Sequence, residues 1–150
     1  LLFKKNLNSG IYRLYYVGAV SIALTFVTVV LFLFPSMLLS GGWLMAISLF
    51  ANDMLFFHVL NPIVGVVILF LAKPVAKLTI KENLLALLPM TLYGAVYFYN
   101  VLIRKTWIDF YGFTFGGNPF LTSVAVIVLI SATYLMGFVF RKLICSQKRR

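Results

Sequence analysis

The sequence predicts an all-α integral membrane bundle of about four transmembrane helices, and three observations predict it. Hydrophobic residues make up 63% of the 150 residues and charged residues only 11%. Soluble domains are near half apolar and a quarter charged, so lipid rather than water must cover this surface. Four stretches lack charge for long enough to cross about 30 Å of hydrocarbon, which takes about 20 helical residues. The 13 Lys and Arg punctuate those stretches instead of gathering on one face.

Each span must be helical, because a lone strand would leave its backbone groups unpaired in lipid. The first span covers about residues 15–34 and carries a small or polar stripe at Gly18, Ser21, Thr25 and Thr28, which reads as a helix-packing face. Residues 37–50 are apolar but short, and Gly41-Gly42 interrupts them, so they read as an interfacial or re-entrant piece rather than a fifth span. The second span covers residues 54–72, with Asn52 and Asp53 as expected caps. The third covers residues 83–103, opened by the capping box Thr79-Ile80-Lys81-Glu82. The fourth covers residues 119–140, where Asn118 caps and Pro119 takes the first turn. Pro62 and Pro89 read as kinks inside spans. Trp43 and Trp107 are expected at one membrane interface. Residues 1–150 thus form a single transmembrane domain with a basic tail at 141–150, and a start at Leu1 suggests a longer natural chain.

The net charge of +10 does not signal nucleic-acid binding, because the basic residues flank apolar runs. With the start of the chain inside, the inner segments hold Lys4, Lys5, Arg13, Lys73, Lys77, Lys81, Arg141, Lys142, Lys148, Arg149 and Arg150. The outer segments hold only Arg104 and Lys105. A basic excess marks the cytoplasmic side, so both visible termini are expected to be cytoplasmic in a cell membrane. The expected partners are membrane lipids, with a second copy or another membrane protein as further candidates. Cys145 stands alone, so it forms no internal disulfide and reads as an inert thiol. Phosphate loops, metal-ligand spacings and nucleophile elbows are absent, and one His with three acids gives no reason to expect a metal or other cofactor.

Polar groups inside lipid are costly, so their positions are informative. His58 and Asn61 share one face of the second span. Tyr93, Tyr97 and Asn100 form a stripe on the third. At about 1.5 Å per residue, His58 lies about 7–8 Å from Asp53 and Asn100 about 6 Å from Arg104. His58, Asn61, Tyr97 and Asn100 therefore share a depth in the outer half, where the connection adds Asp109 and Tyr111. No comparable cluster is expected in the inner half. His58 is the candidate base, since its ordinary pKa lies near neutrality. Asn61, Tyr93, Tyr97, Asn100 and Asp109 are candidate substrate-binding residues. The plainer alternatives are a hydrogen-bonded structural histidine, an aromatic packing stripe at Tyr93 and Tyr97, and a cap at Asp53.

The segment Leu55-Phe56-Phe57-His58-Val59-Leu60-Asn61-Pro62-Ile63 resembles the His-x-x-x-Pro stretch of the androgen-induced-gene-like membrane proteins. Leu88-Pro89, Leu92-Tyr93, Tyr97, Trp107 and Asp109-Phe110-Tyr111-Gly112-Phe113 are similar to the pattern of that family's bacterial relatives. The resemblance covers about residues 12–140. It implies a multi-pass protein of usually six spans, part of which is this chain. Some animal members of that family are intramembrane hydrolases that use a threonine nucleophile and a histidine to cleave fatty-acid esters of hydroxy fatty acids, and the resemblance puts His58 at the histidine position. The family's threonine belongs to a preceding span, and Thr25 and Thr28 do not sit in its context, so no nucleophile is carried over. A hydrolase of lipid esters is the leading expectation. A non-catalytic membrane scaffold and a small transporter or channel component are the alternatives.

Overall fold

The structure, a computed structural model, describes residues 8–72 and 77–147. Of the basic residues used to orient the chain, Lys4, Lys5, Lys73, Lys148, Arg149 and Arg150 lie outside the described residues. The described residues form helices and connecting turns, with no strand among them. Helix α1 spans Ser9–Ser48, α2 Asn52–Leu71 and α3 Ile80–Ile103. Helix α4 spans Pro119–Gln147. All four are long and apolar enough to cross a membrane. They alternate in direction, giving a terminal end (the start of α1, the α2–α3 connection and the end of α4) and a loop end.

Helix α1 starts before the first apolar run because Asn8 Oδ1 accepts a bond from Gly10 N at 2.9 Å. It also does not stop at Phe34. Pro35 has no N–H, and its ring crowds the carbonyl one turn back. The helix absorbs this with a π turn at Val29–Leu33 and runs on. From Ser9 to Gly41 it would rise about 50 Å at about 1.5 Å per residue, more than the hydrocarbon thickness. Gly42 then takes φ 78° and turns the chain, a conformation that favours glycine. A Cβ at the neighbouring Gly41 would crowd the Met45 side chain, which would have to shift to admit it. The return leg packs Ala46 and Leu49 against Val29, Leu33 and Met37. Residues 37–50 are therefore the far part of the first helix and its return.

Prolines shape the other helices in the same way. Pro62 leaves the carbonyl of His58 without its usual donor, and a π turn occupies Phe56–Leu60. Pro89 lacks the N–H that would bond Leu85, and the α pattern breaks at Ala86. The start of α2 departs from the expected cap. Ala51 holds the cap position with no side-chain bond, and Asn52 turns the chain at φ 52°. Asp53 instead lies in the first turn, where its charge suits the helix dipole. The other two caps form as the sequence suggests. Glu82 Oε2 accepts from Thr79 N at 2.7 Å, and Asn118 Oδ1 accepts from Phe120 N at 3.1 Å and Leu121 N at 3.2 Å.

The terminal end is tightly packed around α1. Tyr12, Tyr16, Val20, Leu69, Leu78 and Ile144 are among its fully buried side chains. Phe70 meets Phe140 edge to face at 5.4 Å. A polar knot crosses this packing. Tyr16 Oη donates toward Asn83 Oδ1 at 2.9 Å and the Gly137 carbonyl at 2.6 Å. Asn83 Nδ2 donates to the Tyr134 carbonyl at 3.3 Å. Arg13 Nε pairs with Glu82 Oε1 at 3.3 Å. Three helices are tied together there, which corrects the expectation that this half lacks a polar cluster.

Candidate functional site

The connection from α3 to α4 is organised by one carboxylate. Asp109 Oδ1 accepts from Tyr97 Oη. Its Oδ2 accepts from Thr114 N at 3.0 Å and from Thr114 Oγ1. Thr122 Oγ1 of α4 donates to the Thr114 carbonyl at 3.0 Å, anchoring the connection to that helix. Burial pushes the Asp109 carboxyl up, but the hydrogen bonds from Thr114 and Tyr97 outweigh it and hold Asp109 below the ordinary carboxylate value. The aromatic residues that follow are fixed by this frame. Tyr111 N donates to Tyr97 Oη at 3.3 Å, and the Tyr111 ring stacks on Phe113 at 5.3 Å. Phe113 in turn meets Phe32 of α1 at 5.1 Å.

His58 faces this assembly from the π turn of α2. Its Nδ1 lies 3.0 Å from the Met54 carbonyl. A carbonyl can only accept, so in the neutral ring Nδ1 carries the proton and Nε2 keeps its lone pair. His58 lines a cavity of about 320 Å³ together with Met54, Trp107, Tyr93, Tyr97 and Tyr111. A second cavity of about 450 Å³ lies between α1, α3 and α4. Its walls are mainly apolar, including Leu24, Met90, Val126 and Ile130. Tyr93, Tyr97 and Tyr111 belong to both cavities and form a shared wall. Ser21, Thr25 and Thr28 line the larger cavity, so the small-residue stripe of α1 faces a hollow there rather than a packed helix. Ser21 and Thr25 return their hydroxyls to carbonyls of their own helix, at 3.0 and 3.4 Å.

The sequence candidates separate on this geometry. His58, Tyr93 and Tyr97 line one cavity, and Asp109 supports Tyr97 from the connection. Asn100 lines neither cavity. Its Nδ2 donates to the Val96 carbonyl at 2.8 Å and its Oδ1 accepts from Thr106 Oγ1 at 3.1 Å, so it finishes α3. Asn61 is exposed and lines neither cavity. Sequence reasoning missed Thr114, which completes the Asp109 frame. Its position five residues after the only acid of the connection was the available signal. It also missed the Tyr16–Asn83 knot. The signal there was an asparagine opening an apolar run beside Glu82, the sole acid near that end of a span.

Fold and site together define a bundle of four helices long and apolar enough to cross a membrane, with two adjoining cavities that share a tyrosine wall. No protein-family model, no curated protein and no solved structure matches the chain.

Proposed function

We propose that this protein is a membrane-embedded hydrolase of lipid esters, with His58 as general base. The observation that carries the reading is the tyrosine wall common to an apolar cavity and to the cavity holding His58. The larger volume falls within the range of small-molecule sites, about 300–1,000 Å³, and its apolar lining suits a hydrocarbon chain. A chain held there brings its ester to the wall and within reach of Nε2. Nε2 takes the proton of an attacking hydroxyl as that oxygen bonds the carbonyl carbon, and the proton then passes to the departing alkoxide. Among the described residues no Ser or Thr lines the His58 cavity, so the hydroxyl is water or comes from another segment. The resemblance to the androgen-induced-gene-like proteins supports the second source. The eleven-to-two distribution of basic residues supports a cytoplasmic terminal end in a cell membrane, with the site in the outer leaflet.

Activity profiling of the full-length protein with a serine/threonine-hydrolase probe tests this reading. Labelling that disappears in His58→Ala supports it. Absence of labelling, or labelling that survives the substitution, contradicts it. The use of Asp109 and Asn100 in bonds to neighbouring chain, Asp109 to Tyr97 and Thr114 and Asn100 to Val96 and Thr106, favours a second reading, a non-catalytic lipid-binding module. In that case His58→Ala lowers thermal stability in detergent and leaves no activity to lose.

A further inference from the structure

An attack on an ester carbonyl puts negative charge on its oxygen, which must meet a hydrogen-bond donor in the site. The donors around His58 can be counted. Tyr97 gives its proton to Asp109. Asn100 gives an amide proton to Val96 and lines neither cavity. The Trp107 indole lines the smaller cavity only, from the exposed connection. Tyr93 and Tyr111 are different. Their hydroxyl oxygens lie 3.4 Å apart, and both side chains line both cavities. The pair owns two phenolic protons, and the contact between them uses one. The second is free to point into the junction of the two cavities.

We infer that Tyr93 and Tyr111 form a carbonyl-binding pair at that junction, in which one phenol donates to the ester oxygen and the other donates to the first. The inference rests on the ester-hydrolase reading for its substrate, but not for its test. A donor supported by a second donor is strengthened by polarisation. Tyr111 belongs to the connection and Tyr93 to α3, so the pair forms only while Asp109 holds the connection in place. Tyr97 and Asp109 are therefore positioning residues. Burial also pushes the Tyr111 phenol above its ordinary value, with its Tyr93 bond adding to the rise, so it stays protonated and able to donate.

The direct test uses the full-length protein with a long-chain methyl ketone isotopically labelled at its carbonyl. The expected infrared band in wild type is shifted to lower frequency. In Tyr93→Phe with Tyr111→Phe it returns to the position found in lipid alone. An unshifted wild-type band, or a shift that survives the double substitution, overturns the inference. The ketone is not hydrolysed, so this outcome does not depend on the enzyme reading. Hydrolysis of a medium-chain p-nitrophenyl ester adds a second arm. Tyr111→Phe is expected to lower kcat about 100-fold with little change in KM, as for loss of one oxyanion donor. Full activity in both single variants, alongside an inactive His58→Ala, sinks the pair and leaves the hydrolase standing.

Discussion

At the terminal end, Tyr16 bonds residues 67 and 121 positions away along the chain, Asn83 and Gly137. At the loop end, Asp109 bonds Tyr97 and Thr114, 12 and 5 positions away. Both clusters use a tyrosine hydroxyl and a planar polar group in apolar surroundings. The first is long-range, joins three helices and sits in solid packing. The second is local, holds one connection in shape and stands beside two cavities. The first set of polar bonds closes distant contacts of the fold, and the second shapes a connection over hollow space.

Substitutions can test that division. The largest effect is expected for Gly137→Val. A Cβ there would lie 2.4 Å from Asn83 Oδ1 and 3.1 Å from Tyr16 Oη, so α4 must move or the knot must open. Overpacking of this kind costs about 1–3 kcal/mol, and a melt in detergent should fall accordingly. Gly94→Val is the matched control at the loop end, because a Cβ at Gly94 meets nothing within 4 Å. Its melt should hold or rise. Equal losses in the two variants would erase the distinction between the ends.

Tyr16→Phe comes next. It removes the hydroxyl that serves two acceptors and should cost about 1 kcal/mol, in line with hydrogen bonds inside membrane proteins. Asp109→Asn should cost less in the same melt, because its bonds are local. Its signature should lie in the connection: Trp107, whose ring is 6.5 Å from Tyr97, should change emission in a Trp43→Phe background. A global loss larger than that of Tyr16→Phe would show that the connection carries the fold.

The smallest effect concerns pH. The folded Asp109 pKa lies below its unfolded value, so its contribution is present above the ordinary carboxylate value of about 3.9. That contribution is lost as pH falls through the lower, folded pKa. Trp107 emission should stay constant from neutrality down to about pH 4 and change only below it. A transition well above that value would contradict the hydrogen-bonded carboxylate.

The helical bundle was legible because 63% apolar composition and uncharged runs leave few other options. Constant helix rise per residue put His58, Asn61, Tyr97 and Asn100 at one depth, and of these His58 and Tyr97 line one cavity while Asn61 and Asn100 line neither. The extension of α1 was not legible, because Pro35 reads as a stop and a π turn absorbs it. The stripe at Ser21, Thr25 and Thr28 looked like packing because small residues suit contacts and cavities equally. The terminal knot was hidden for two reasons. Tyr16 and Asn83 sit at the edges of the apolar runs, where polar residues look interfacial. Their partners are the Gly137 and Tyr134 carbonyls, which no side-chain pattern reveals.

The proposed hydrolase needs the loop end to hold an apolar chain against the tyrosine wall. Photo-crosslinking of a diazirine-bearing fatty acyl ester to the full-length protein tests it most directly. The account predicts adducts on lining residues such as Thr25, Met90 and Val126, and their loss in Gly94→Leu, where the new side chain fills the cavity without disfavouring the helix. Adducts spread over the lipid-facing surfaces and unchanged by Gly94→Leu would contradict it.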